Sequence, residues 1–566
     1  MGAPQQPDKY VLREASSSLP GDNFIMLKHV YMARKARLYR AVIASVLAFT
    51  FLCALFYHKQ RLLYPLYPDF VESTAHPVEI LHREAIQTFQ ELISRQSKTI
   101  DEATEEYKER YGRSPPPGFA KWVKYALKQH SPIIDDFDTI LENLEPFYRL
   151  HPQEVRQLIV DATHGNNDAV MLCTLTRDKG FQDCGYFGET MDWLLGPAKK
   201  RLPDMIFPVN TLDEPSVLLK SEKDDATIFD WPNLASQSIV DQVAEACGVR
   251  GQISTDKLLI DRVENYGLPF VQSVEEEQDL CMHPEYKDYH GFLNSPTSFR
   301  QLGTAVPLLS RAAPYPFADV LMPSPHYAFL QNLYNGILDG PWHQKKNAVF
   351  WHGSTTGGHW HKHVPWRVGQ RQRFTALTTM PPDRRFTYLQ RNDNASAPGA
   401  YRAYLSPEID HALYDVRLTN AIQCDWDQCR ELLEFFQIDP EDQPPPERPY
   451  EYRFAFDIDG NSYSGRFHKN LAAHTTPLKM SIFREWHDER LVPWLHYVPV
   501  SQSMEELPEL VRFLATTDEG QTVAYRIAEE GRKWYYRALS PKHQGLYVYR
   551  LLLELAWLQD PERTVE

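Results

Sequence analysis

The residues best suited to chemistry lie in one run, Asp457-Ile-Asp-Gly-Asn-Ser-Tyr-Ser-Gly-Arg-Phe467. A strand-like segment, Tyr450 to Phe456, leads into a turn at Asp459-Gly460. The turn carries two hydroxyls, Ser462 and Ser464, then a second glycine and Arg466. Small residues let a backbone approach an anion, hydroxyls donate to its oxygens, and a guanidinium forks onto a diphosphate ahead of a helix start. Taken alone, an ordinary β-turn with a surface arginine accounts for the same residues. A second strand-then-turn runs from Val349 to Gly358 and contains Gly353, Ser354 and Thr355. It is neither a GK[ST] phosphate loop nor a dinucleotide GxGxxG. Arg367, Arg371 and Arg373 follow it and could complement a diphosphate.

Other groups could act as base or metal ligand. Asp204 enters an apolar run, Met205 to Val209, that Asn210 leaves; a carboxylate at such an edge becomes a general base only if a cleft opens there. Asp457-Ile-Asp459 matches the DxD pattern that holds Mn²⁺ on a sugar nucleotide. Asp425-Trp-Asp427 matches it equally, so the pattern discriminates little. His359, His361 and His363 alternate as a strand could present them, but no further element supplies a zinc ligand, and a surface or structural role is the simpler reading.

The elements that must position these groups alternate. Strands are expected at Val306–Leu309, Phe317–Met322, Asn347–Trp351 and Lys479–Phe483. Helical spacing is seen from Trp122 to Leu127, Ile133 to Phe147, Glu505 to Leu514 and Leu546 to Leu558. This alternation predicts an α/β body. At 566 residues, two domains are expected.

The net charge is −15, which disfavours general nucleic-acid binding. The first 40 residues run against it, with seven basic and three acidic side chains. Ala41 to Tyr57 is an uncharged, apolar run that as a helix spans about 25 Å, short of a typical bilayer core and suited to a thin early-secretory one. With no small-residue cleavage site after the run, it is expected to be a single-pass anchor rather than a signal peptide. Its basic flank places residues 1–40 in the cytosol, a type II topology. Residues 58–110 are expected to be a stem, with the body beginning at Tyr111. A lumenal body would be oxidised, so Cys173, Cys184, Cys247, Cys281, Cys424 and Cys429 could form up to three disulfides, with Cys173–Cys184 and Cys424–Cys429 as local guesses. Asn394-Ala-Ser396 is a glycosylation sequon.

From Tyr111 onward the chain resembles glycosyltransferase family 90, the capsule-associated-protein and Rumi-type protein O-glucosyltransferase family, and is most similar to the fungal capsule-associated branch. The resemblance rests on ordered blocks: Arg113-Ser-Pro-Pro-Pro-Gly-Phe, Ile134-Asp-Asp-Phe, Leu202-Pro-Asp-Met, Asp213-Glu-Pro215, Phe317-Ala-Asp-Val-Leu-Met-Pro323, His352-Gly-Ser-Thr-Thr-Gly-Gly, Asp459 to Phe467 and His496-Tyr-Val-Pro499. It implies a GT-B-like fold, two Rossmann-type domains facing across a cleft, with acceptor on residues 111–340 and UDP-sugar on 341–566. It implies an inverting sugar transfer to a glycan or glycoprotein in the Golgi or endoplasmic reticulum, with xylose or glucose as the sugar. By the same resemblance Asp204 is the base. Gly353, Ser354, Thr355, Arg371, Ser462, Ser464 and Arg466 hold the donor, and Asp319 and Asp459 line the cleft. No metal or cofactor is required, and Mn²⁺ dependence is disfavoured. Thr355 departs from the Rumi-type branch, which has a basic residue there, so Arg371 or Arg373 is expected to compensate. The alternative is a catalytically silent lumenal scaffold that binds glycans on the same fold.

Overall fold

Tyr452–Ile458 (β11) buries every residue except Arg453, the composition of a strand covered on both faces. It lies in a fully parallel sheet with Lys346–Ser354 (β7), Tyr414–Asn420 (β10), Thr476–Met480 (β12) and Val498–Pro499 (β14), in the order β10-β7-β11-β12-β14. Phe454 pairs with both Val349 and Thr476, and Asp457 with Lys479. This register brings the ends of β7 and β11, and hence the two glycine-bearing turns, to the same edge.

A second five-stranded sheet has the order β2-β1-β3-β4-β6. Val170–Thr176 (β1) runs antiparallel to Gly180–Gln182 (β2) and to Met205–Asn210 (β3). Leu309–Ser310 (β4) and Val320–Leu321 (β6) continue it in parallel. Ala312–Ala313 (β5) leaves this region to pair with Arg484–Glu485 (β13), just beyond β12. The computed structural model describes residues 74–164, 168–220, 229–250, 263–328, 334–392 and 399–565, and these belong to one compact unit.

Helices clasp the sheets. Pro541–Leu558 (α12) is buried from His543 to Ala556 and packs on Phe119–Lys128 (α3), Asp138–Tyr148 (α4) and Gly185–Leu195 (α6). Trp122 donates its indole N–H to Leu546 O at 3.0 Å, and Arg550 and Glu554 pair inside this helix layer. The last helix therefore belongs structurally with the first half of the chain, across the boundary expected at residue 340.

The stem expectation needs correction. Pro77–Ser94 (α1) and Ile100–Tyr111 (α2) bury Val78, Leu81, Ala85, Ala103 and Tyr107 in the same core as the body. His76 stacks on Phe513 with ring centroids 3.8 Å apart and meets Glu509 at 3.1 Å, while Tyr107 donates to Glu554 at 3.2 Å. Sparse apolar spacing looked like a spacer because much of this contact is aromatic and polar. Asp518–Trp534 (α11) and Leu507–Thr516 (α10) complete the layer that α1 meets.

All three cysteine pairs are bridged: Cys173–Cys184, Cys247–Cys281 and Cys424–Cys429, with Cα separations of 4.8, 5.6 and 5.3 Å. Among the described residues no helix is long and apolar enough to cross a membrane. The expected anchor at 41–57, the tail before it and the sequon at Asn394 lie outside those residues.

Candidate active site

The loop Asp459–Arg466 connects β11 to a short helix, Phe467–Ala472 (α9). Opposite it, β7 ends at Ser354 and the chain turns through Thr355–Gly358. A ten-residue helix, Gln370–Thr379 (α7), then presents Arg371 in its first turn. Glycine is required where these segments touch. A Cβ on Gly460 would stand 3.0 Å from Arg371 Nη2 and 3.3 Å from Thr356 Oγ1. Gly357, at φ +116°, has Gln370 Nε2 where a Cβ would be.

Arg371 is buried and fully engaged. Its Nε donates to Asp459 O at 2.8 Å, and Nη1 to Thr356 Oγ1 at 2.6 Å and Ser354 O at 3.1 Å. Nη2 donates to Ile458 O at 3.3 Å. No carboxylate is among these partners. Burial and the facing Arg466 guanidinium together lower it to about 9, against the pull of Asp459 and Asp457; it remains a cation at neutral pH. Arg466 is exposed, donates to His352 O at 2.6 Å and borders a cavity of about 310 Å³ with Trp351, His352, Lys469 and Pro444–Pro446. Two guanidinium groups that repel one another thus stand close together, one of them buried on carbonyls.

Across the loop, Asn461 accepts from Gly357 N at 3.2 Å and donates to Asp213 Oδ2 at 3.3 Å. Asp213 follows the C-terminal end of β3, is exposed, and lies 3.5 Å from Arg311. Arg311 is itself fixed on Leu212 O and Thr211 O. His326 sits beside Gly465, its imidazole lowered by burial and by Arg311. An acidic side chain open to solvent thus faces the cationic loop pair.

Asp204 is not part of this cluster. It stands before the first residue of β3, exposed, accepting from Arg177 N at 2.8 Å, and so closes the far end of the β1–β2 hairpin. The six residues of β3 separate it from the Asp213 end by about 20 Å. The apolar strand is present as expected, and its other end, toward Asp213, is the one that meets the Asp459–Arg466 loop.

Other expected residues divide between site and scaffold. Thr355 is buried; its hydroxyl donates to Ile422 O and accepts from Ile422 N, both at 2.8 Å, so it fastens β10 rather than a donor. Gly353 is buried within β7 against Trp351, and Ser354 serves through its carbonyl. Asp319 is fully buried and accepts from Ser310 Oγ, Ser216 N and Val217 N at 2.6, 3.0 and 2.8 Å, which makes it a scaffold residue and not a cleft wall. Asp459 is also buried, accepting from Ile482 N at 2.9 Å, and holds the loop from beneath. Arg373 donates to Tyr289 O, Gln502 O and Ser503 O, so Arg371 is the arginine beside the Thr355 turn. Ser462 and Ser464 lie buried in the loop, and Ser464 Oγ accepts from Arg466 N at 3.4 Å. Asp425 caps Trp426–Phe435. His359 bonds Ser236 at 3.1 Å, and no group of three or more His, Cys, Asp or Glu among the described residues is placed to hold a metal ion.

Two features escaped the sequence. One is the Asp213–Asn461–Arg311 junction, for which the Asp213-Glu-Pro215 block was a signal. The other is a buried polar group under the loop, Lys479, Glu485, Tyr327 and His487, where Lys479 Nζ meets Glu485 Oε1 at 2.9 Å. Lysine in an apolar strand and glutamate in a turn gave no warning of their pairing.

Residues 407–566 match the family model described as glycosyl transferase family 90. The chain is 31% identical over 108 residues to protein O-glucosyltransferase 3 of Rattus norvegicus, covering 19% of this chain and 21% of that protein. It is 28% identical over 117 residues to protein O-glucosyltransferase 3 of Homo sapiens, covering 20% and 22%. To the O-glucosyltransferase rumi homolog of Aedes aegypti it is 32% identical over 107 residues, covering 18% and 25%. The chain thus spans between a fifth and a quarter of the length of these relatives. The family match contains the Asp459–Arg466 loop but neither Arg371 nor Asp213.

Proposed function

From the match of residues 407–566 to the glycosyl transferase family 90 model, we propose that the protein is an inverting, UDP-sugar-dependent glycosyltransferase of that family. The observation that carries this reading is the junction at Asn461, which ties a solvent-open carboxylate, Asp213, to a loop that ends in Arg466 and packs on Arg371. The donor diphosphate lies between Arg371 and Arg466. Asp213, rather than Asp204, is the general base. It takes the proton of the acceptor hydroxyl as that oxygen bonds to the anomeric carbon. The bond from that carbon to the diphosphate oxygen breaks on the opposite face, and UDP departs with the electron pair. A positioned base contributes about 10²–10⁴-fold. Fixed cations at the leaving group stabilise the charge that grows there.

The two α/β sheets serve as the acceptor and donor sides of a GT-B-like layout. The sugar is glucose or xylose, with glucose favoured by the names of the curated relatives, and the acceptor is a hydroxyl of a glycan or glycoprotein. Three disulfides suit an oxidising lumen, and the apolar run at 41–57 is the proposed anchor in the Golgi or endoplasmic reticulum membrane. Since Arg371 and Arg466 meet the diphosphate charge, transfer is expected to persist in EDTA; complete loss reversed by Mn²⁺ would contradict this. The test of the base is Asp213→Asn, which abolishes transfer while UDP still binds; near-normal turnover by that variant would overturn the assignment.

A further inference from the structure

Beneath the donor loop, Glu485 is 1% exposed and uses both carboxylate oxygens. Oε2 accepts from Tyr327 OH at 2.6 Å, and the same hydroxyl lies 3.3 Å from Ser464 O. Oε1 accepts from Lys479 Nζ at 2.9 Å, and Lys479 lies 3.7 Å from Asp457 Oδ2. Asp457 lies close to Ser464, whose hydroxyl works against the burial that raises the Asp457 carboxyl. Ser464 is thereby approached by two groups that converge on one buried acid, the Tyr327 hydroxyl beside its carbonyl and Asp457 beside its side chain. The backbone of Glu485 pairs with Ala312, next to Arg311 and hence to the Asp213 side of the site. Tyr327 is pinned by stacking on His468, with centroids 3.7 Å apart.

We propose that Glu485, acting through Lys479 and Tyr327, is the positioning residue that sets the donor loop at Ser464–Arg466 in place relative to Asp213. It touches neither donor nor acceptor. The proposal rests on the donor-clamp reading for its catalytic consequence, although the ordering of the loop can be measured without any ligand. The geometry argues for position over bulk stability. A buried ion pair gives little net stability compared with apolar residues of similar volume, whereas removing one partner strands the other. What apolar replacements cannot reproduce is the placing of the Tyr327 hydroxyl and of Asp457 against Ser464.

The test compares wild type with Glu485→Gln, Tyr327→Phe and the double variant Lys479→Met/Glu485→Leu in the full chain. Amide hydrogen exchange should rise at least tenfold in residues 459–466 of all three, with residues 119–128 unchanged. The double variant removes both members of the Lys479–Glu485 pair but leaves Asp457 without its cation, so it should melt below wild type, and it should keep a KM for the UDP-sugar raised about tenfold. Unchanged exchange in the loop would overturn the proposal. So would a double variant that recovers KM together with melting temperature, since that is the behaviour of a purely structural pair. If wild type fails to bind UDP but loop exchange rises as stated, the donor reading fails and the positioning of the loop by Glu485 stands.

Discussion

Arg371 and Arg466 differ in how they are held, and this predicts how they fail. Arg371 supports four oxygen atoms of the two loops, so replacing it collapses the site as well as removing a charge. Arg466 makes one carbonyl bond and is otherwise open to the cavity. Arg466→Ala should weaken UDP binding by roughly tenfold or more, the worth of one charge-assisted bond, and leave the melting temperature nearly unchanged. Titration calorimetry checks the first and a thermal scan the second. Thr355→Val should behave in the opposite way. It strips both bonds to Ile422, costing about 1–3 kcal/mol in urea unfolding, while KM for the donor stays within about twofold. At this scale the sequence was a partial guide. Glycine, serine and arginine clustered within eight positions at 459–466 singled out the loop that the fold sets beside the Thr355–Gly358 turn. Asp204 and Asp213 flank the same strand, and only the three-dimensional course of the neighbouring loop shows that Asp213 and not Asp204 lies beside Asn461.

Elements of the fold were legible where a repeat ran long enough. The period in Leu546–Leu558 marked α12, and the apolar run after Asp204 marked β3. The strands expected at Val306–Leu309 and Phe317–Met322 are found as two-residue strands, β4 and β6, whose short extent is set by their neighbours in the sheet. The first helix was read as a spacer because its apolar content is low. Its packing predicts otherwise: Leu81→Ala should cost about 2–4 kcal/mol, as expected for a core position and far above the near-zero effect in a free stem. His496, between β12 and β14, is buried and stacks with Trp534 at 5.5 Å; its ring is pushed down to about 3 by burial alone. A base whose folded pKa lies below its unfolded one is protonated first in the unfolded chain. Its contribution to stability is therefore complete above about pH 6.5 and declines as pH falls toward 3. The stability difference between wild type and His496→Gln should accordingly shrink by about 1.4 kcal/mol per pH unit between pH 6.5 and 4.5. Urea midpoints of both proteins across that range measure it, and a constant difference would contradict the assignment.

For the whole molecule, the parallel sheet, the mixed sheet and the helix α12 that joins them to one core place two glycine-bearing turns and one carboxylate at a common edge. On the proposed reading, the two cations there anchor the donor diphosphate and Asp213 is the acceptor's base. The direct test is to measure transfer from UDP-glucose and UDP-xylose for wild type, Asp213→Asn and Asp204→Asn, with UDP affinity determined on the same samples. The predicted result is that one of these donors is used by wild type, that Asp213→Asn falls by at least about 10²-fold with UDP affinity within about threefold, and that Asp204→Asn remains within a few-fold of wild type. Loss of transfer in Asp204→Asn with Asp213→Asn fully active, or no UDP binding by any of the three, would contradict it.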